Sequence, residues 1–289
     1  MLKSQPTRNV AWTRVLADRA ATGAAWLAAL LVISPLIAIF GYLVVRGASA
    51  VNWAFLTHAP RPVGEAGGGI GNAIVGSALI LGISSLLGVP LGIGAGVYLA
   101  EYGRGRLATL VRFTADVLNG VPSIVMGIAV YALVVLQQKH FSAFAGGIAL
   151  GIMMIPTIAR TTEEMLLMVP RPVREAALGL GVSEWRTVLS VSLRTALPGV
   201  ITGVMLAFAR IAGEAAPLLF TAFGNQFWNL NVNQPTAALP LQIYNYALSP
   251  YDEWHQQAWA GALVLIVLIV GTVCLVRLIA GRGVMKGTA

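Results

Sequence analysis

The sequence is poor in charge. Charged residues make up only 10% of its 289 residues, whereas hydrophobic residues make up 57%. A water-soluble domain needs a charged surface around its core, and about a quarter of its residues are ordinarily charged. Long uncharged runs recur along the chain, which predicts an all-α polytopic membrane protein.

Cysteine and lysine are also scarce. The single cysteine, Cys274, lies in the last apolar run, so an intrachain disulfide is excluded and a small packed side chain is predicted. None of the lysines, Lys3, Lys139 and Lys286, follows a glycine, so the chain contains no G-x-x-x-x-G-K-[ST] phosphate-binding loop. Any ATP hydrolysis linked to this chain is therefore expected from a partner, and no cofactor is expected in the chain itself.

Residues that commonly bind metals or carry out catalysis are sparse. His58, His140 and His255 lie in separate loops without metal-ligand spacing, and no nucleophile is placed beside a base. The sequence therefore predicts neither a catalytic nor a metal site, which disfavours a membrane-bound enzyme.

Six apolar runs are long enough to cross a bilayer. They cover residues 24–45, 70–100, 117–136, 141–159, 195–223 and 258–276. The first run is longer than the roughly 7–15 residues of a signal-peptide core, which predicts an uncleaved span. We therefore expect six transmembrane helices, arranged as a tail (1–21), a first helix with an external loop (22–69), a transmembrane domain (70–280) and a second tail (281–289).

The basic residues predict how these spans are oriented. The net charge of +8 suggests nucleic-acid binding, but Lys and Arg are spread over short connections between apolar runs. The segments before the first run and after the last run hold four and three of them, and the connections after the second and fourth runs hold three and five. The other connections hold only Arg46, Arg61 and Lys139. The positive-inside rule then predicts that both termini are cytoplasmic, together with the segment after the fourth run.

The second run contains glycines at four-residue spacing, Gly88, Gly92 and Gly96. Small residues at this spacing leave a groove along one helix face, so a neighbouring helix is predicted to approach closely there. The same region reads G-I-G-A-G, but no soluble strand precedes it and no acidic residue follows at the right distance. A dinucleotide site is therefore disfavoured.

The segment 160–198 is the only long polar interruption that carries many charges of both signs. Its R-E-A-A-L-G-L-G portion predicts a short amphipathic helix, with Pro172 in the first turn and with Gly179 and Gly181 available for a left-handed stop. Ser183 is predicted to cap a second helix that begins S-E-W-R-T-V-L.

The motif Glu175-Ala176-Ala177, followed by Gly181 and by Val191-x-Leu193, resembles the EAA coupling loop of ABC-importer permeases. Arg194 stands where that family usually has proline, and Pro198 follows one turn later. The resemblance implies a type I ABC-importer permease architecture, in which this helix sits in a cleft of an ATPase subunit and passes its motion to the spans. An ordinary solvated connection between two spans is the alternative.

Arg210 and Glu214 are opposite charges inside the fifth run, at i and i+4, and are predicted to share one helix face. At 1.5 Å per residue, Arg210 lies roughly 20 Å from the cytoplasmic start of its span, where an ionised arginine costs at least about 2.5–3.5 kcal/mol. It is therefore expected to face a water-filled cavity or a partner. The pattern is compatible with an oxyanion site in a translocation path and with an intrahelical ion pair that serves packing.

The sequence around these charges, A-R-I-A-G-E-A-A-P-L-L-F-T-A at 209–222, closely resembles the A-type permease subunits of Pst phosphate importers. Further similar words are G-V-P-S at 120–123, N-Q-F-W at 225–228, Q-P…L-P at 234–240, S-P…W at 249–254 and A-W-A at 258–260. The resemblance covers roughly residues 69–277. It implies a non-catalytic subunit in the bacterial inner membrane, with Arg210 and Glu214 in the path of phosphate.

The same resemblance implies several partners. They are a homologous second permease of the PstC type, two ATPase subunits of the PstB type and an external phosphate-binding protein of the PstS type. The aromatic segment 223–257, which has no Lys or Arg, lies on the predicted external side, where it either meets the binding protein or packs as a lid on the spans. A permease for another oxyanion, such as sulfate or molybdate, and an ion-coupled carrier or channel are the alternative functions.

Overall fold

The computed structural model describes residues 12–65 and 67–285, the last five of them by their backbone alone. The basic residues Lys3, Arg8 and Lys286 of the two predicted tails lie outside the described residues, and so does the side chain of Arg282.

All regular secondary structure in these ranges is helical, apart from one isolated β-bridge between Phe223 and Thr236. In chain order the helices are α1 (Trp12–Gly47), α2 (Trp53–Thr57), α3 (Gly71–Val97), α4 (Gly105–Gly120), α5 (Ser123–Val130), α6 (Leu136–Gln138), α7 (Ala143–Leu167), α8 (Arg171–Gly179), α9 (Glu184–Arg186), α10 (Leu193–Ala212), α11 (Ala216–Thr221), α12 (Leu239–Ala247) and α13 (Asp252–Met285). Wide π-helical turns extend α3 to Tyr102, join α5 to α6 and join α9 to α10. Five helical segments are long and apolar enough to cross a membrane, and α4 with α5–α6 forms a sixth, bent pair. The all-α polytopic fold is therefore confirmed.

α7 lies between α3 and α10, and glycine lets all three backbones approach one another. A Cβ atom added at Gly88, Gly92 or Gly96 of α3 would lie only 2.5–2.9 Å from atoms of α7. A Cβ atom added at Gly203 of α10 would lie 2.6 Å from Thr161 Cβ on the other side of α7. Side chains do not approach one another so closely, so the glycines are what allows this packing.

The third span differs from the prediction of one straight helix over 117–136. α4 ends at Gly120, and the chain bends by 107° before α5 begins. Pro122 has no amide hydrogen to donate and holds Val121 in an extended conformation, so the helix cannot continue. The predicted basic loop is also wrong in part, because Arg106 and Arg112 belong to α4.

The fourth and sixth spans are longer than predicted. α7 continues to Leu167, so Arg160 and Glu163 belong to this helix and not to the polar segment after it. α13 begins at Asp252, whose carboxylate favours the positive end of the helix dipole. Together with α12, this start converts much of the segment predicted as a loop over 223–257 into helix.

α1 is the outermost helix of the bundle. Its carboxyl end lies against the amino end of α13, where Tyr42 meets Trp259 edge to face at 5.1 Å and Gly47 abuts the backbone of Trp259. Most of the remaining side chains of α1 are apolar and exposed. A helix of this kind requires lipid or another subunit around it.

Candidate substrate pathway and coupling segment

Arg210 and Glu214 lie at a break in the fifth span. Residues 213–215 are not helical, and α10 ends before Glu214 while α11 begins after it. Pro217 lacks the amide hydrogen that the carbonyl of Gly213 would need for the helix to continue. The predicted single helix over 195–223 is therefore interrupted.

The prediction that both charges share one helix face is wrong. Arg210 belongs to the last turn of α10 and is exposed, whereas Glu214 lies in the break and is partly buried. The ion pairs found among the described residues do not include one between these two side chains. The structure thus brings the two residues to the same break without pairing them.

Arg210 lies on a side of α10 that the other described residues leave uncovered. Exposed residues follow one another along this side at four-residue spacing, namely Pro198, Thr202, Leu206 and Arg210. The next residue, Ile211, belongs to a buried cluster with Ile80 and Leu150. These two lie about 10–14 Å from the amino ends of α3 and α7, at 1.5 Å per residue. The backbone of Arg210 therefore lies at a depth within the bundle and not at the ends of the spans.

The short helices that follow the two breaks pack against each other. A Cβ atom added at Gly127 of α5 would lie 2.6 Å from Pro217 Cα of α11, so the two backbones are in contact. Each break is within a few residues of this contact. Discontinuous helices in membrane transporters commonly line the substrate site, because irregular backbone is tolerated at membrane depth only beside protein or water.

The short helix predicted from R-E-A-A-L-G-L-G is present as α8, with Pro172 in its first turn. Gly181 adopts the left-handed conformation with a φ of +80°, as predicted, whereas Gly179 ends α8 without a positive φ. Ser183 occupies the cap position of α9, but its side chain makes no capping hydrogen bond.

The two alanines of the Glu175-Ala176-Ala177 motif differ in exposure. Glu175 and Ala176 are exposed, but Ala177 is 7% exposed and packs against its own chain. Large apolar side chains are exposed instead, with Leu180 at 85% and Trp185 at 56%. Leu180 lies before the fifth span and Trp185 at its start, and apolar residues this exposed there are typical of a surface that another protein covers.

Ion pairs that the sequence did not reveal link α8 and the neighbouring spans. Arg174 Nη1 donates to Glu101 Oε2 at 2.8 Å, which joins α8 to the end of the second span. Arg112 Nε donates to Glu163 Oε1 at 2.7 Å, which joins α4 to α7.

Arg160 adds to the ionic contact between Arg112 and Glu163. Its guanidinium donates two hydrogen bonds of 3.0 Å to Asp116 of α4 and one of 3.2 Å to Glu163. The residues of these interhelical pairs are 44 to 73 positions apart in the chain, so no local spacing pattern identifies the partners.

A cavity of about 610 Å³ opens beside α12 and the amino end of α13. Part of the aromatic segment packs beside it, since Tyr246 is buried and stacks on Trp254 at 4.8 Å between ring centroids. Phe227 and Trp228 are exposed instead. The lid interpretation therefore describes α12, while the exposed pair offers a surface to another protein.

These elements define the class of the protein. The chain has the fold of a solved structure titled as an inward-facing conformation of the MetNI methionine ABC transporter, with a TM-score of 0.58, 21% identity, and coverage of 75% of this chain and 96% of that one. The bundle thus has the architecture of a type I ABC-importer permease.

Sequence comparison identifies the family. A family model described as the binding-protein-dependent transport system inner membrane component matches residues 88–282, and the chain belongs to this family. The phosphate transport system permease protein PstA of Yersinia pestis is 46% identical over 237 residues, which cover 82% of this chain and 80% of that protein. PstA of Pasteurella multocida is 48% identical over 229 residues, with coverages of 78% and 81%. PstA 1 of Mycobacterium tuberculosis H37Rv is 38% identical over 240 residues, with coverages of 81% and 78%.

Proposed function

We propose that this chain is the permease subunit of an ATP-driven phosphate importer and forms half of a heterodimeric translocation pathway. The observation that carries the proposal is the position of Arg210. This arginine lies at membrane depth, next to a break in the fifth span, and its side chain is exposed on the surface of the bundle. Similar relatives named as phosphate transport system permease proteins support phosphate as the cargo.

An arginine at the depth of Arg210 is costly unless something other than lipid faces it. Insertion scales place the cost of an arginine at the centre of a membrane helix at about 2.5–3.5 kcal/mol. Because Thr202 and Leu206 share its exposed side of α10, a second permease subunit can cover this side. A water-filled passage between the two subunits removes the cost and lets an anion reach the guanidinium.

Arg210 and Glu214 together favour a protonated oxyanion. A guanidinium binds a tetrahedral oxyanion through two parallel N–H donors. Hydrogenphosphate also carries a hydroxyl group that donates to a carboxylate, whereas sulfate only accepts hydrogen bonds. The carboxylate of Glu214 at the break therefore accepts a hydrogen bond from phosphate and repels sulfate.

α8 and the turn after it receive the motion of the ATPase subunits. Glu175, Ala176 and Leu180 are exposed for this contact, Ala177 packs α8 onto its own chain, and Gly181 permits the turn. The distribution of basic residues puts this end of the bundle, and both termini, in the cytoplasm. ATP is bound and hydrolysed by two PstB-type partners, so this chain is not itself an enzyme and carries no cofactor.

The other end of the bundle then faces outward from a bacterial inner membrane. A PstS-type phosphate-binding protein delivers its ligand at this end, where Phe227 and Trp228 are exposed. A PstC-type second permease completes the passage. Aromatic residues are enriched in such contact surfaces because they bury a large area at little cost in side-chain entropy.

Phosphate-stimulated ATP hydrolysis by the complete complex in proteoliposomes tests this function. We expect phosphate to stimulate hydrolysis, and sulfate and molybdate to have no effect. Stimulation by sulfate or molybdate alone would assign the chain to another oxyanion importer. Uptake without any ATPase subunit would contradict the ATP-driven mechanism and favour an ion-coupled carrier.

Replacing Arg210 by lysine tests the role of the guanidinium. The variant keeps the charge and is expected to assemble, but its phosphate uptake falls by about tenfold or more, because an ammonium group cannot make two parallel hydrogen bonds. Arg277→Lys, at an exposed arginine near the end of α13, is the matched control. Equal uptake by the two variants would refute direct contact between Arg210 and phosphate.

A further inference from the structure

Arg174 bonds the coupling helix α8 to the second span. The fifth span, by contrast, is the one that follows α8 in the sequence. Its Nη1 donates to Glu101 Oε2 at 2.8 Å, and its Nη2 donates to the carbonyl of Leu166, at the end of α7, at 2.6 Å. The side chains of Arg174 and Glu101 are only 23% and 10% exposed. This contact is thus a largely buried ionic joint between α8 and the ends of two spans.

The joint is incompletely bonded. Glu101 Oε1 and Arg174 Nε are both buried, and neither has a hydrogen-bond partner among the described residues. A guanidinium and a carboxylate can form two parallel hydrogen bonds, but this pair forms one. Buried polar groups without partners are destabilising. The joint therefore leaves one donor and one acceptor unused that could form a second hydrogen bond between the same two groups.

The backbone beside Glu101 connects the joint to a second group of polar contacts. Arg112 of α4 donates from Nη2 to the carbonyl of Leu99 at 3.1 Å, two residues before Glu101. The same guanidinium bonds to Glu163, which is 4% exposed, and Glu163 is shared with Arg160.

α4 lies at the far end of these polar contacts. Arg160 donates two hydrogen bonds to Asp116, and Asn119, next to the last residue of α4, accepts a hydrogen bond from Thr157 at 3.1 Å. The 107° bend follows directly, and the α5 helix beyond it packs on α11 beside the break that holds Glu214. The contacts thus run from the coupling helix to the two broken spans.

We propose that Arg174 and Glu101 are positioning residues that pass the motion of the coupling helix to the second span and, through Arg112, to the broken third span. The proposal rests on the ATP-driven function proposed above. It adds a second connection to the covalent one between α8 and α10. Neither residue touches the substrate. Their effect is on how strongly the conformation of the translocation pathway depends on the nucleotide bound to the ATPase subunits.

The test reads the shape of the third span directly. Cys274 is the only cysteine of the chain, so Cys274→Ala combined with Ser123→Cys places one thiol at the start of α5, beside the bend. The labelling rate of this thiol by a water-soluble maleimide is measured on this chain within the complete complex in nanodiscs. The nucleotide-free complex is compared with the complex trapped by ATP and vanadate.

We expect the two states to differ in labelling rate. Arg174→Gln and Glu101→Gln should each reduce this difference by about three- to tenfold, and the double variant should lose no more than either single one. Arg104→Gln, at an exposed arginine of the same end of the bundle, should leave the difference unchanged. Co-purification of the ATPase subunits shows that assembly is retained.

Two results would overturn the joint. One is a full nucleotide-dependent difference in labelling rate in the Glu101→Gln variant. Because Glu101 lies outside the coupling helix, this variant is interpreted alone if Arg174→Gln fails to retain the ATPase subunits. The other is a double variant in which the two losses add as independent effects. An unmutated complex without any nucleotide-dependent difference would instead contradict the ATP-driven function, whatever the variants do.

Discussion

Gly96 and Gly94, two residues apart on α3, should respond in opposite directions to replacement by alanine. An added Cβ atom at Gly96 would lie 2.5 Å from Thr162 Cβ and 2.6 Å from the carbonyl oxygen of Ala159, whereas one at Gly94 would have no neighbour within 4 Å. Carbon atoms in contact prefer separations of about 3.5–4.0 Å, so α3 and α7 must move apart by about 1 Å at Gly96. Overpacking of this kind costs about 1–3 kcal/mol.

Gly94→Ala should be stabilising, because alanine in a helix interior is favoured over glycine by about 0.5–1 kcal/mol. The two variants are therefore expected to differ by about 1.5–4 kcal/mol. The free energy of unfolding is measured by titrating the chain in mixed micelles with sodium dodecyl sulfate and following tryptophan fluorescence. A Gly96→Ala variant as stable as Gly94→Ala would refute the close packing of α3 on α7.

Two further predictions concern the selection of the substrate and the contact with the ATPase subunits. Glu214→Gln removes the charge that repels sulfate, so uptake of radiolabelled sulfate should appear when the binding protein is bypassed, and its absence would contradict the proposed selection. Leu180→Asp should reduce co-purification of the ATPase subunits, because Leu180 is 85% exposed on the coupling segment. The control Leu248→Asp changes an equally apolar, exposed residue beyond α12, and an equal loss there would show that the effect is general.

The ionic group around Glu163 explains how charged residues come to lie in a membrane helix. Glu163 is 4% exposed and accepts from both Arg112 and Arg160, while Asp116 balances the second arginine. Two positive and two negative groups thus neutralise each other between α4 and α7. A buried charge without its partner is strongly destabilising, so these residues depend on one another.

Local signals for the two broken spans are present in the sequence. The G-V-P-S word places Pro122 two residues after Gly120, and the G-E-A-A-P word places Pro217 four residues after Gly213. The apolar runs at 117–136 and 195–223 each extend across a break, so run length alone does not predict where these helices end. Glycine and proline positions therefore deserve more weight than run length in predicting where a membrane helix ends.

The amino-acid sequence was enough to predict the membrane-spanning class, the short helix α8 and a left-handed turn after it, because these depend on composition and on residues a few positions apart. It also singled out Arg210 and Glu214, which are unusual in an apolar run wherever the helix ends. The tertiary structure was needed to show that Arg210 and Glu214 lie at the break without an ion pair between them, that Ala177 is buried and that Arg174 reaches Glu101. These features depend on contacts between distant parts of the chain, where burial and the need of each charge for a partner select one arrangement among many.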